Sequence, residues 1–168
     1  MWPLEPPDHV DAVDYIAQTR DSYAQLGYDA YRWAENPEPP AVNAPVELAG
    51  ARVGLVASGG IYQVGQVAFH HADDTSHRSI PTDVDVADLR ISHFAYDTTD
   101  AKADPNVVFP IDALRSLVAD GTIKELAPRV LTFMGGIYSQ RRLHEQLVPA
   151  LVERVRSLAI DVVLLVPV

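Results

Sequence analysis

The segment "DVVLLVPV", residues 161–168, narrows the folds open to this 168-residue chain more than any other feature. It is a short, unbroken run of branched apolar residues that opens at Asp161 and closes at Pro167 and Val168. Such a run is typical of a strand that is covered on both faces inside a parallel sheet. The carboxyl ends of parallel strands face the crevice in which ligands bind. The segment therefore predicts an α/β fold and places Val168 beside the expected ligand crevice.

The rest of the α/β region supplies further strands and helices. Apolar runs predict strands at about 51–57, 89–95 and 129–135, and helical spacing predicts helices over 111–123 and 139–160. Gly121 is expected to end the first of these helices, and Pro149 is expected to kink the second. The order of elements predicts a Rossmann-like three-layer domain with a mostly parallel sheet. The stretch between the first two strands, about 61–89, shows no clear period and is expected to be a functional loop or a lid.

The first 50 residues are expected to form a separate arm, and residues 51–168 the α/β domain. Apolar positions from Val10 to Leu26 recur at helical spacing, and Gly27 is a plausible end of that helix. The aromatic residues that follow, Tyr28, Tyr31 and Trp33, are expected to pack on the domain before a proline-rich connector.

Composition excludes several function classes. The formal net charge of −10 argues against a nucleic-acid or an anionic membrane partner. Because the chain has no cysteine, it holds no disulfide, no thiolate metal site and no cysteine nucleophile. The amino terminus lacks the basic and apolar regions of a signal peptide, and the longest apolar run is too short to span a bilayer. We therefore expect a cytoplasmic protein.

Candidate site residues follow the predicted strands. Ser58, Gly59 and Gly60 come after the first strand, and either cradle an anion or form only a tight turn, since their spacing matches neither a dinucleotide-binding motif nor a P-loop. Gly135 and Gly136 precede the last long helix, where backbone N–H groups favour an anion such as a substrate carboxylate. A glycine turn needed only for geometry is the alternative.

Two polar clusters offer acid–base chemistry. In "FHHADDTSHRSI", His70 and Arg78 suit proton transfer or substrate anchoring, although the segment also reads as a hydrogen-bonded loop, and its spacing fits no standard zinc pattern. His93, near the end of the second predicted strand, and Asp97, just past it, are typical acid–base residues. Asx turns are the structural alternative for the carboxylates.

The predicted site thus has two kinds of member. The catalytic candidates are His93, Asp97 and His70, and no metal site is predicted. The substrate-binding candidates are Ser58, Gly59, Gly60, Arg78, Tyr96, Asp104, Asn106, Gly135 and Gly136. The sequence does not decide whether Tyr62 and Tyr138 line a pocket or only pack.

The blocks "SHFAYDTTDAKADPNVVFP" and "FMGGIY", together with "DVVLLVPV", resemble the selenoprotein B family of the glycine, sarcosine, betaine and D-proline reductases. The likeness is greatest to the short, stand-alone branch of that family and runs from "TRDSYAQLGYDAYRW" to residue 168. The resemblance implies an oxidoreductase with a disulfide or selenenylsulfide as acceptor. In the full reductases this subunit contributes a selenol or thiol that attacks the substrate carbon as its bond to nitrogen breaks.

The resemblance also implies partners: a small amino-acid-like substrate, a thiol or selenoprotein redox partner and, in the glycine and proline systems, a pyruvoyl-containing subunit. In similar proteins the "LLVPV" strand runs directly into a selenocysteine or cysteine motif, so that residue is expected just after Val168 in the full-length form. Reading the UGA codon of selenocysteine as a stop would give a chain that ends here, and a naturally short chain is the alternative.

The resemblance leads to three expectations about the chain as given. It should lack redox activity, and its last strand should promote homodimers or aggregation. His70, Arg78 and His93 should converge on the residue after Val168. A non-catalytic α/β domain that binds a small anion or a metal is the competing interpretation.

Overall fold

The computed structural model of the protein describes residues 14–30, 37–38 and 46–168, which fall into two compact units divided between residues 43 and 44. The first unit contains helix α1, Tyr15–Gln25, whose first turn is capped by the side chain of Asp14. Gly27, with φ of +76°, follows the end of this helix as predicted. The predicted start at Val10 and the rings of Tyr31 and Trp33 lie outside the described residues.

The second unit contains two sheets and four helices. Its strands are β1 Arg52–Ala57, β2 Ile61–Gln63, β3 His77–Pro81, β4 Leu89–Ile91, β5 Glu125–Leu126, β6 Arg129–Phe133 and β7 Val162–Val166. Its helices are α2 Thr99–Ala103, α3 Ile111–Ala119, α4 Gln140–Arg142 and α5 Val148–Ser157, the last two joined by a π-helical turn, Leu143–Leu147. Short 3₁₀ turns cover Leu48–Gly50, Val86–Asp88 and Pro105–Val107. No helix in the described ranges combines the length and the apolar character needed to cross a membrane.

Strand β1 is the centre of the larger sheet. Val53 pairs with Leu126 of β5 on one edge and with Val162 of β7 on the other, in parallel in both cases. Ala57 is likewise paired on both edges, by β6 and by β7. Strand β3 adds to the far edge of β6 in the antiparallel direction. The α/β prediction is confirmed, with a mixed sheet that is mostly parallel.

The second predicted strand differs from the structure in both length and place. Only Leu89–Ile91 is extended, and it pairs antiparallel with β2 in a separate two-stranded ribbon instead of joining the main sheet. After Ser92 the amides bond locally, since the Ala95 N–H is donated to the His93 ring at 3.1 Å. Because no neighbouring strand takes these groups, His93 lies beyond the strand, and the expectation that it belongs to the strand is wrong.

The region expected to be a loop or a lid contains strand β3, "HRSIP", which pairs along its whole length with β6. Its first three side chains are polar and only Ile80 is buried, so the sequence shows no apolar run there. The strand is held by a side chain from its neighbour, because Arg129 donates to the Ser79 hydroxyl at 2.7 Å and to the Ser79 carbonyl at 2.6 Å. The loop prediction is therefore wrong over these residues.

The last long helix is interrupted one turn before Pro149. Proline lacks an N–H and its ring clashes with the carbonyl four residues earlier in an α-helix. Here the π-helical turn Leu143–Leu147 comes immediately before α5, and Pro149 lies in the first turn of α5. The helix thus accommodates Pro149 by adopting π-helical hydrogen bonds in the turn that precedes α5, at the place where a kink was predicted.

The two faces of the main sheet are covered unequally. Leu55 and Ala57 belong to a core cluster that also contains Phe109, Ile111 and Leu114 from the α3 side. On the other face, α5 has no buried residue, and an apolar groove of about 500 Å³ runs between this helix and the sheet. The groove is lined by Val56, Phe133, Val148, Leu151, Val152, Val155, Arg156, Val163 and Leu165.

Gly60 gives a stability test with a matched control. Its φ is +71°, and a Cβ there would clash with the Ser92 carbonyl oxygen, whereas Gly65, with φ of +93°, has open space around it. Alanine at either site costs about 1–2 kcal/mol of left-handed strain. We expect Gly60→Ala to lose about 1–3 kcal/mol more than Gly65→Ala in urea unfolding, because only the first substitution overpacks. Equal losses would mean that the Ser92 contact does not constrain the turn.

Candidate functional site

The carboxyl ends of β1 and β7 meet at Ser58, which directly follows β1. The Ser58 N–H is donated to the Val166 carbonyl at 3.0 Å, and its hydroxyl oxygen accepts the Val168 N–H at 2.9 Å. The Ser58 carbonyl accepts the Gly135 N–H, also at 2.9 Å. Since Ser58 is only 8% exposed, these bonds tie three chain segments together at one buried point.

Several predicted residues gather around this point and form what we call the edge cluster. Its members are Ser58, Gly59, Gly60, His93, Tyr96, Gly135, Gly136 and Val168. The expectation that His93 lies on the same edge as Val168 is supported by this chain of contacts, because both are linked through Ser58 and Gly135.

The glycines of the cluster allow close approach of backbone to side chains. A Cβ at Gly59 would lie 2.9 Å from Val108 Cγ2 and 3.5 Å from Val168 Cγ2, and one at Gly136 would clash with the Phe94 ring. The Gly60 N–H is donated to the Phe133 carbonyl at 2.9 Å. The Gly135 N–H is bound to the Ser58 carbonyl in the same way. The N–H groups of Gly60 and Gly135 are therefore used within the turns, which favours the interpretation that both glycine pairs are needed only for turn geometry.

His93 lies half-buried with both ring nitrogens facing backbone amides. Nδ1 lies 3.1 Å from the Ala95 nitrogen and Nε2 lies 3.2 Å from the Gly135 nitrogen. A neutral imidazole accepts at one nitrogen only, and the Gly135 N–H already has a shorter bond to the Ser58 carbonyl. The Gly135 N–H thus lies between two acceptors, the Ser58 carbonyl and His93 Nε2, and the tautomer of the ring decides which ring nitrogen accepts.

Burial sets the protonation state of the two titratable members. Desolvation lowers the pKa of His93 and raises the pKa of Tyr96. Tyr96 donates its hydroxyl proton to the Gly59 carbonyl at 3.0 Å, and its ring centroid lies 4.7 Å from that of His93. Both residues are therefore neutral near pH 7, and neither gives the cluster a fixed charge.

The anion position predicted before the last long helix is filled by the protein itself. Asp73, with φ of +48°, accepts the N–H groups of Tyr138 at 2.6 Å and Ser139 at 3.0 Å through one carboxylate oxygen. A carboxylate is favourable at a helix amino terminus, and the sequence analysis predicted a substrate carboxylate at this position. In the structure the carboxylate of Asp73 occupies it. Sequence reasoning missed Asp73 in this role because nothing local links it to a helix 66 residues away.

Three of the predicted polar residues cap local turns. Asp97 accepts the Thr99 hydroxyl at 2.6 Å and the Thr99 N–H at 2.9 Å, and the hydroxyl bond is the largest cause that lowers its pKa. Asp104 accepts the Asn106 N–H at 2.9 Å, and the Asn106 side chain bonds to Asp112 at the start of α3. These bonds match the Asx-turn alternative.

His70 and Arg78 are engaged outside the edge cluster. The His70 ring accepts the Ala72 N–H at 3.1 Å and stacks on His71, with ring centroids 4.5 Å apart. Arg78 donates to the Val67 carbonyl at 2.7 Å, and its guanidinium lies 4.2 Å from the centre of the Phe69 ring. In the parts of the chain that the structure describes, neither side chain forms a hydrogen bond with the cluster.

The remaining candidates are placed as follows. Tyr138 is 61% exposed, with its ring centroid 6.2 Å from that of Phe94, beside Gly136. Tyr62 lines a separate hollow, described below. Within the described ranges, no three His, Asp or Glu side chains lie close enough together to hold a metal ion.

The lowered pKa of His93 predicts a pH dependence of stability. An unfolded histidine binds its proton near pH 6.5, whereas the buried ring binds it only at lower pH, so the unfolding free energy decreases as pH falls below about 6.5. We expect His93→Gln to show a smaller decrease between about pH 7 and pH 5 in urea unfolding. His144→Gln, at an exposed position of the last long helix, is the control and should follow the wild-type curve. Parallel curves for all three proteins would contradict the burial of the ring.

Comparison with known proteins gives two matches. The sequence model of the glycine/sarcosine/betaine reductase selenoprotein B family matches residues 30–167. The D-proline reductase subunit gamma of Acetoanaerobium sticklandii is 40% identical over 129 residues, which cover 76% of this chain and 53% of that protein. The chain thus spans about half the length of this curated relative. No solved structure matches.

The family match covers most of the chain, including every residue of the edge cluster except Val168. The relative, at 40% identity, agrees with it. The chain therefore belongs to the glycine/sarcosine/betaine reductase selenoprotein B family.

Proposed function

We propose that this chain is the substrate-binding scaffold of a reductase subunit that cleaves a C–N bond in a small amino-acid-like substrate. The observation that carries the proposal is the edge cluster, in which Val168 is bound to Ser58, Ser58 to Gly135, and Gly135 to His93. A Rossmann-like, three-layer organisation is part of the same proposal, since such domains bind ligands outside the carboxyl ends of their strands. Family membership supports the reductive chemistry.

The nucleophile in this proposal is a selenocysteine or cysteine that follows Val168 in the full-length protein. The Val168 N–H is held by the Ser58 hydroxyl, and its side chain packs against Gly59. A residue attached to the Val168 carbonyl would therefore emerge at the Ser58 end of the edge cluster, which His93 joins through Gly135. Since the 168 residues include no cysteine, we expect them to be inactive by themselves.

The proposed reaction conserves atoms and electrons. The selenolate or thiolate forms a bond to the substrate carbon as the C–N bond breaks, and the nitrogen leaves with the electron pair and takes up a proton. A thiol of the redox partner then attacks the selenium or sulfur, and the released carbon takes up a second proton. The substrate gains two electrons and two protons, while the selenol and thiol are oxidised to a selenenylsulfide, or two thiols to a disulfide.

His93 is proposed as a neutral hydrogen-bond donor. Because burial lowers its pKa, the ring carries no charge near pH 7, and its Nε2 lies 3.2 Å from the Gly135 nitrogen in the cluster. In the tautomer with the proton on Nε2, that proton can bond to a substrate carboxylate or to the selenolate. Asp97, Asp104 and Asn106 are given no chemical step, because their side chains are occupied by turns.

Protein partners are also proposed. The matched relative is named as a reductase subunit, so we infer that this protein works with other subunits. A homodimer remains a second expectation, supported by the exposure of Leu164 (38%) and Leu165 (67%) on β7. Light scattering of the purified chain should show association that depends on protein concentration. A clean monomer would contradict the homodimer.

The first test is the nucleotide sequence beyond the Val168 codon. We expect an in-frame UGA or cysteine codon followed by more coding sequence. The extended protein, produced with selenocysteine insertion and combined with its partner subunits, should reduce one of D-proline, glycine, sarcosine or betaine with dithiothreitol. Replacing the added residue by serine should abolish turnover. A gene that ends at Val168 would overturn the proposal and favour the small-anion-binding alternative, which saturable binding without turnover would then establish.

The role of His93 has its own test in the extended protein. We expect His93→Gln to lower kcat/KM by about 10- to 100-fold, since a hydrogen bond to a charged group contributes about 1.5–3 kcal/mol. His144→Gln should leave kcat/KM unchanged. A wild-type value for His93→Gln would remove this residue from the proposed mechanism without affecting the identity of the nucleophile.

A further inference from the structure

A second hollow lies on the β2–β4 ribbon and shares no residue with the edge cluster. It has a volume of about 350 Å³, within the range of small-ligand pockets. Its floor is apolar, because Leu89 is 4% exposed and Ala101 is 1% exposed. Tyr62 and Pro105 form part of its wall, and two cationic residues, Arg90 and Lys102, line it as well.

Arg90 and Lys102 are among the seven described Arg and Lys residues that form no salt bridge, and the other five are paired. Arg20, Arg52, Arg115, Lys124 and Arg141 each form a salt bridge with a carboxylate. Within residues 14–30, 37–38 and 46–168, neither Arg90 nor Lys102 forms one. Arg90 donates from Nη1 to the Ala87 and Leu89 carbonyls at 2.8 and 2.7 Å, which fixes the guanidinium at the hollow.

The remaining donors of Arg90 are Nε and Nη2, and no described acceptor takes them. The Lys102 ammonium likewise has no hydrogen-bond partner among the described residues. Its positive charge contributes to lowering the pKa of Asp97. An anchored guanidinium and an ammonium beside an apolar floor match a ligand with one anionic group and an apolar body. Inorganic phosphate would use the cations but gain nothing from the floor.

We propose that this hollow binds a small organic carboxylate. Its carboxylate lies between Arg90 and Lys102, and its apolar body covers Leu89 and Ala101 beside the Tyr62 ring. The site is independent of the proposed reductase chemistry, because no residue of the edge cluster takes part.

The test is an NMR titration of the ¹⁵N-labelled 168-residue chain with benzoate at constant ionic strength. We expect saturable shifts at Tyr62, Arg90 and Lys102, and at least about tenfold weaker binding of benzamide, which has the same shape without the charge. Phosphate should bind more weakly than benzoate. Shifts that do not saturate, that map to the edge cluster, or that are equal for benzoate and phosphate would overturn the proposal.

Two variants localise the site. Lys102→Gln, which has no hydrogen bond to lose, should weaken benzoate binding about fivefold, as expected for one partly exposed charge pair. Lys124→Gln is the matched control, since it removes the same charge at an exposed position outside the hollow, and should leave the affinity unchanged. Arg90→Gln should act like Lys102→Gln. Equal affinities for Lys102→Gln and Lys124→Gln would show that only overall charge matters.

Discussion

The position of every group at the candidate site depends on β1 being paired along both edges. Ala57 bonds across to β6 on one side and β7 on the other, and it is fully buried. Whatever follows Ala57 must therefore lie where these strands end. That residue is Ser58. Its hydrogen bonds to Gly135 and Val168 fix the positions of these two residues relative to the end of β1.

The same burial that fixes the edge cluster also removes charge from it. Desolvation moves the pKa of His93 down and that of Tyr96 up, so both side chains are neutral near pH 7. The Asp73 carboxylate is bound to the backbone N–H groups of Tyr138 and Ser139. The two titratable members of the cluster therefore act as neutral hydrogen-bonding groups, whose bonds strengthen as the local dielectric falls.

The sequence predicted those strands and helices whose apolar pattern is contained within their own residues. Strands β1, β6 and β7 are apolar runs, and α3 has its apolar residues at helical spacing, so all four were predicted close to their observed bounds. Strand β3 was missed because its stability comes from pairing with β6 and from Arg129, a residue 50 positions away. At the site, the glycines were predicted from their places after strands, and His93 from a predicted strand that in the structure ends before it. Whether the carboxylates are capping or reactive depends on contacts such as that between Asp97 and Thr99, which the sequence leaves open.

The less covered face of the main sheet lies next to the Ser58 end of the edge cluster. The apolar groove beside α5 continues into a hollow of about 230 Å³ that is lined by Ser58, Val166 and Pro167, and Val56, Phe133 and Leu165 line both. Burying apolar surface stabilises by about 25 cal/mol per Å², so any cover over the groove is favoured. The same cover would exclude water from the Ser58 end of the edge, where hydrogen bonds become stronger as the local dielectric falls. In the proposed reductase, closure of this face and the strength of the hydrogen bonds around Ser58 would therefore rise together.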